Sequence, residues 1–151
     1  MRFEQDVIAL NPAAVHILAG GNDIAGNTGP TSDRFIRNNV RAMAEMAKAH
    51  GIRVYLVSML PAKEFWWARQ YKPAAKLVEH NAWLKRYAAY NGFTYIDYYS
   101  AMANDDGGMR SGLTDDGVHP NLAGYAVMAP VLSRSLVATD GTTNRPKKPK
   151  R

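Results

Sequence analysis

Cysteine is absent from all 151 residues, which excludes disulfides, thiolate metal sites and a cysteine nucleophile. The chain also lacks any apolar run near the roughly 20 residues that a membrane-spanning helix needs. Met1-Arg2-Phe3-Glu4-Gln5-Asp6 carries charges of both signs where a secretory leader would be apolar. Acidic residues are in deficit, 13 against 19 lysines and arginines, for a formal net charge of +6. That excess is uneven. From Thr139 onward there are five basic residues and one acidic, so the preceding body holds 14 basic and 12 acidic residues. A near-neutral body with a basic end lacks the electrostatic footprint of a nucleic-acid domain, and no nucleic-acid partner is expected. Residues 139–151 have no apolar periodicity and are expected to be a basic flexible tail behind one domain spanning residues 1–138.

What is present suits a globular α/β domain. The chain is 46% hydrophobic and 21% charged, enough to build a real core. Phe3, Val7 and Leu10 repeat at helical spacing before Asn11-Pro12. Ala14 to Ala19 reads as a short buried strand, followed by a polar, glycine-rich loop from Gly20 to Asp33. Thr31, Ser32 or Asp33 is placed to cap a helix whose inner face is Ile36, Val40, Met43 and Ala47, ending at Gly51. Ile52 to Met59 is a second strand, and Leu60 to Lys72 a loop. Pro73 starts a helix with Leu77, Asn81, Leu84 and Ala88 inside, ending at Gly92. Phe93 to Asp97 is a third strand, and a last helix runs from about Pro120 to Val137. Strands alternating with helices predict a parallel sheet covered by helices, with the chemistry where the strands end at their carboxyl edge.

Two polar clusters fall at such places. Gly20-Gly21-Asn22-Asp23 follows the first strand, and Asp116-Gly117-Val118-His119-Pro120 precedes the last helix. A catalytic imidazole needs a carboxylate on one ring nitrogen so that the other can accept a proton, and Asp116 and His119 can form that pair within a single turn. The plainer alternatives are a turn with a helix-starting proline and a glycine-asparagine turn. His16 reads as a packed or hydrogen-bonded strand histidine, and His50 and His80 as exposed. No pair of them has metal-ligand spacing, so neither a metal nor a cofactor is expected.

On these motifs the sequence resembles the SGNH, or GDSL, hydrolases, small esterases and acylhydrolases with a flavodoxin-like parallel sheet. Gly20-Gly21-Asn22-Asp23 matches their Gly-x-Asn-Asp block and Asp116-Gly117-Val118-His119 their Asp-x-x-His block, over about residues 2 to 138. The resemblance implies a carboxylic-ester hydrolase acting on small acyl or aryl esters. It implies His119 as general base, Asp116 as its orienter, Asn22 as an oxyanion-hole donor, and Gly20 and Gly21 admitting substrate to the backbone. Asp23 is expected to tie down the loop. Trp66 and Trp67, after Phe65, either line an acyl or aryl pocket or cover the sheet edge.

The Gly-Asp-Ser block of that family is nowhere in the chain, so an N-terminally truncated sheet of about three strands is expected. Ser58, at a strand end, is the first candidate for a substitute nucleophile, against the alternative of a hydroxyl bonded to backbone; Ser111 is the second. A catalytically impaired remnant serving as an oligomeric binding module is the competing function. With fewer strands, Ala14–Ala19 becomes a sheet edge without proline or lysine, and a homo-oligomer through that strand is expected. As it stands the chain reads as cytoplasmic, any export signal belonging to the N-terminal part that the resemblance implies.

Overall fold

The structure, a computed structural model, describes residues 2–140; residues 141–151, most of the basic tail, lie outside the described residues. Helix α1 (Phe3–Asp6) and a 3-10 turn (Ile8–Leu10) lead to strand β1 (Ala14–Ile17). Then come α2 (Gly21–Ile24), α3 (Asp33–Ala49), β2 (Arg53–Val57), α4 (Pro73–Asn91), β3 (Thr94–Ile96), α5 (Tyr98–Met102) and α6 (Leu122–Asp140). The three strands form one parallel sheet in the order β1-β2-β3. The register sets Val15 beside Val54 and Ile17 beside Leu56, then Tyr55 beside Thr94 and Val57 beside Ile96.

Strand β2 is central and buried on both faces, as a parallel sheet between helices requires. Its side chains alternate with the period of two that pleating imposes. Val54 and Leu56 face a core with Val40, Ala44 and Ala47 of α3 and Trp83, Leu84 and Ala88 of α4. Tyr55 and Val57 face the opposite core, with Tyr98 and Met102 of α5, Met109, and Met128 of α6. A third cluster sits beyond the strand ends and joins Ile24, Ile36, Met59, Phe65 and Leu77. It anchors the loops of the carboxyl edge.

The helix ends follow their local signals. Ser32 is the α3 cap, its hydroxyl accepting the Phe35 N–H at 3.2 Å, and Pro73 opens α4. Leu77, Asn81, Leu84 and Ala88 are all buried. Asn81 stands out among them because its amide pairs with both backbone groups of Met59: Oδ1 accepts the N–H at 2.7 Å and Nδ2 donates to the carbonyl at 3.0 Å. The amide thus serves Met59 as a neighbouring strand would.

Four expectations are corrected. The segment from Gly20 is not all loop, since Gly21–Ile24 close a helical turn. Strand β1 is not buried throughout, because it is the sheet edge: His16 and Leu18 are exposed, and His16 Nε2 lies 3.2 Å from the Tyr98 hydroxyl. His80 is buried, packed 5.3 Å from the Trp83 ring, where burial followed by the charge of Arg37 lowers its pKa to about 4. The last helix spans Leu122–Asp140, where about Pro120 to Val137 was expected. Among the described residues no helix is long and apolar enough to cross a membrane.

Candidate active site

The loop that carries His119 is built from its own polar side chains. Gly117 turns the chain at φ +82°. The Thr114 hydroxyl accepts the Gly117 N–H at 2.9 Å, and Asp116 Oδ1 accepts the N–H groups of Val118 and His119 at 2.8 and 2.7 Å. Asn121 closes the turn, its Oδ1 accepting the Gly124 N–H at the start of α6 and its Nδ2 donating to Asp115 at 3.0 Å. The carboxylate oxygen left over, Asp116 Oδ2, meets His119 Nδ1 at 2.6 Å. That hydrogen bond, with the backbone N–H groups behind it, holds the Asp116 carboxyl well below the usual carboxylate range. The His119 side chain is 71% exposed, so the pair adds little to stability. Its effect is on the ring: with Nδ1–H given to the carboxylate, Nε2 keeps a lone pair and can accept a proton.

The loop after β1 supplies the facing wall. Gly20 has φ +106°, and a Cβ there would stand 2.5 Å from Met59 Cε and 2.8 Å from Ile36 Cγ2. No other residue fits that conformation and that space. Gly21 has open space where a Cβ would lie. Thr28 donates to Asp23 Oδ1 at 3.0 Å, so Asp23 does tie down its loop. Asn22 Oδ1 accepts Asn27 Nδ2 at 3.0 Å, which leaves the Asn22 Nδ2 group as a free donor. Asn27 Oδ1 in turn accepts the Trp67 indole N–H at 2.8 Å.

Asn22, Gly20, Gly21, Trp66, Trp67 and His119 line one cavity of about 890 Å³, with Met59, Leu60 and Leu77 among its apolar walls. That is the size, and the mixture of apolar wall with few polar groups, of a small-molecule pocket. Asp116 stands behind His119. Trp67 does more than cover an edge: its ring stacks on the His119 imidazole, centroids 6.2 Å apart at 17°. Phe65 is buried under it and Trp66 meets it edge-on.

Neither serine candidate lines the cavity. Ser58 is fully buried, its N–H bonded to the Ile96 carbonyl and its Oγ accepting the Tyr99 N–H at 2.8 Å. A buried hydroxyl bonded to the first turn of α5 does not face the cavity. Ser111 is exposed but outside the cavity. Sequence reasoning missed Asn27, which has the spacing and composition of an ordinary turn residue. Among the described residues no group of three or more His, Asp or Glu is placed to hold a metal ion.

The model of the GDSL-like lipase/acylhydrolase family matches residues 1–127. A GDSL-like lipase from Bacteroides thetaiotaomicron superposes with a TM-score of 0.87 at 39% identity, over 91% of this chain and 68% of that one. A Bacteroides fragilis protein assigned as an acylhydrolase gives 0.87 at 41%, over 91% and 67%. An acetylxylan esterase from Geobacillus stearothermophilus shares the fold, with a TM-score of 0.69 at 20% identity, over 89% and 64%. Among curated proteins there is no match. The family model covers most of the chain and the Bacteroides structures superpose over nearly all of it; the chain belongs to the GDSL-like lipase/acylhydrolase family, a family of hydrolases.

Proposed function

We propose that the pocket binds small acyl or aryl esters and hydrolyses them, with His119 as general base and Asn22 as oxyanion donor. One observation carries this: an imidazole with Nδ1 fixed on a carboxylate and an amide with only its N–H side free line the same apolar cavity. His119 Nε2 takes the proton of an attacking hydroxyl as its oxygen bonds to the ester carbon. The carbonyl π pair moves onto oxygen, and Asn22 Nδ2 donates to that charge. Collapse of the adduct expels the alkoxide, which takes the proton back from the imidazolium. Gly20 and Gly21 admit the carbonyl to the backbone, and Trp66 and Trp67 form the apolar wall for the acyl or aryl group.

None of Ser32, Ser58, Ser100, Ser111, Ser133 and Ser135 lines the cavity, so in this chain the attacking hydroxyl is assigned to water held at Nε2. Turnover of p-nitrophenyl acetate by the purified chain, with and without His119→Ala, is the test. Fluorophosphonate treatment read by mass spectrometry is expected to leave these serines unlabelled; a labelled Ser111 would show a serine attacking instead. The edge strand supports a second element of the proposal. His16 and Leu18 are exposed on β1 or just past it, with no strand beyond them among the described residues, and we infer that two copies cover this edge in a two-fold dimer.

A further inference from the structure

The role of Asn22 in the reaction just proposed depends on which way its amide points, and an amide can rotate by half a turn to present oxygen instead of nitrogen. In the oxyanion role one orientation donates and the other repels. We infer that Trp67 is the residue that fixes this choice, acting through Asn27, and that it is a positioning residue for both halves of the site. An indole N–H can only donate, so the Asn27 atom 2.8 Å from Trp67 Nε1 must be the amide oxygen. With its oxygen toward Trp67, Asn27 turns its NH₂ toward Asn22, 3.0 Å away, and the Asn22 atom that receives it must be oxygen. Only then is the Asn22 NH₂ left for the cavity. One group that cannot reverse its polarity sets the polarity of two that can.

The same indole lies flat against His119 at 17°, so the ring that orders the donor also limits the rotation of the base. Trp67 is itself held: it stacks on buried Phe65 at 5.3 Å and meets Trp66 edge-on at 5.2 Å. The loop between β2 and α4 thus links the end of β1 to the turn before α6, two parts of the pocket that share no backbone hydrogen bond among the described residues. A tryptophan that merely filled space would need neither its N–H bonded nor its plane aligned with the imidazole.

The inference rests on ester hydrolysis at this site, and the test separates the two. Trp67→Phe keeps a ring on His119 and removes only the N–H. It is expected to lower kcat by about 2- to 10-fold with KM within about twofold, the range that one neutral hydrogen bond supports. In an Asn22→Ala background the same substitution is expected to cost almost nothing, because there is no amide left to orient. Asn27→Asp, which keeps the acceptor for Trp67 but has no donor for Asn22, is expected to be worse than Asn27→Ala. An equal loss for Trp67→Phe in both backgrounds, or a change in KM or melting temperature alone, would overturn the inference while leaving hydrolysis standing. A readout independent of turnover is the ¹H–¹⁵N spectrum of the three tryptophan indoles: Asn27→Ala is expected to shift one of them markedly, and three unmoved resonances would overturn the inference outright. If the indole shifts but the chain shows no His119-dependent turnover, the chain Trp67–Asn27–Asn22 stands as structure, and hydrolysis with the catalytic role of Trp67 falls.

Discussion

The Asn81 amide holds the backbone of Met59, which lines the pocket, and Asn81→Leu tests what that pairing contributes. Strand β2 ends at Val57, and Ser58 makes the last bond to β3, N–H to the Ile96 carbonyl at 2.9 Å. Met59 comes next, buried to 3% exposure, with both backbone groups satisfied by the Asn81 amide. Leucine has the same Cγ-branched skeleton as asparagine, though its methyl groups are bulkier, and it is accepted on a helix face. What is lost is partners for two buried backbone groups, about 1–3 kcal/mol each. Burying the leucine returns at most about 2 kcal/mol. At about 2 kcal/mol for each lost partner and about 2 kcal/mol returned, the net is a destabilisation of about 2 kcal/mol, or roughly 4–8 °C in melting temperature for a domain of this size. Urea denaturation of both proteins gives the difference directly, with Val78→Ala on the exposed face of the same helix expected to change stability by less than about 0.5 kcal/mol. A loss below about 1 kcal/mol for Asn81→Leu would show that Met59 finds other partners. Because Met59 Cε sits against Gly20, turnover should fall along with stability.

Other outcomes follow from particular residues. His80 has a pKa of about 4 folded, from burial first, against about 6.5 unfolded. Between those values the unfolded chain binds a proton that the folded chain refuses, so stability should fall as pH drops from about 6.5 to 4, by up to about 3 kcal/mol. Denaturation midpoints at pH 7 and 4.5 measure this, and His80→Leu should flatten the slope; an unchanged slope would contradict it. Gly20→Ala forces a Cβ into Met59 and Ile36 at φ +106° and should cost about 1–3 kcal/mol, together with most of the activity; a fully stable and active Gly20→Ala protein would contradict the close packing. In light scattering at micromolar concentration the expected species is twice the 16.7 kDa chain, and Leu18→Lys, exposed just past the edge strand, should return it to a monomer. A folded wild-type monomer would rule out the edge-paired dimer.

Much of this was legible in the sequence because it rests on local rules. Ser32, Pro73 and Gly92 mark helix ends by capping chemistry, and the unbroken apolar run Val54 to Val57 declares a strand buried on both faces. Asp116 and His119 are three residues apart, so their pairing is a short-range event that a single turn decides. His80 was misread because burial on a helix is set by what packs on the outer face, and α3 lies there beside Trp83. The exposed side of β1 was hidden for the opposite reason: a strand sequence does not state whether a further strand lies beside it. Asn27 was invisible because its partners, Asn22 and Trp67, are brought together by two separate loops, and the polarity of an amide leaves no trace in periodicity. The Asn81 amide was seen only as one more inward position. Its specific pairing with Met59 depends on where β2 stops.

The most direct measurement is initial-rate hydrolysis of p-nitrophenyl acetate by the purified chain, compared with His119→Ala and Asn22→Ala under identical conditions. The expected result is saturable turnover by the wild-type chain, abolished by His119→Ala and reduced about 10²- to 10³-fold in kcat by Asn22→Ala with KM little changed. Equal rates for the wild type and His119→Ala would contradict ester hydrolysis at this pocket.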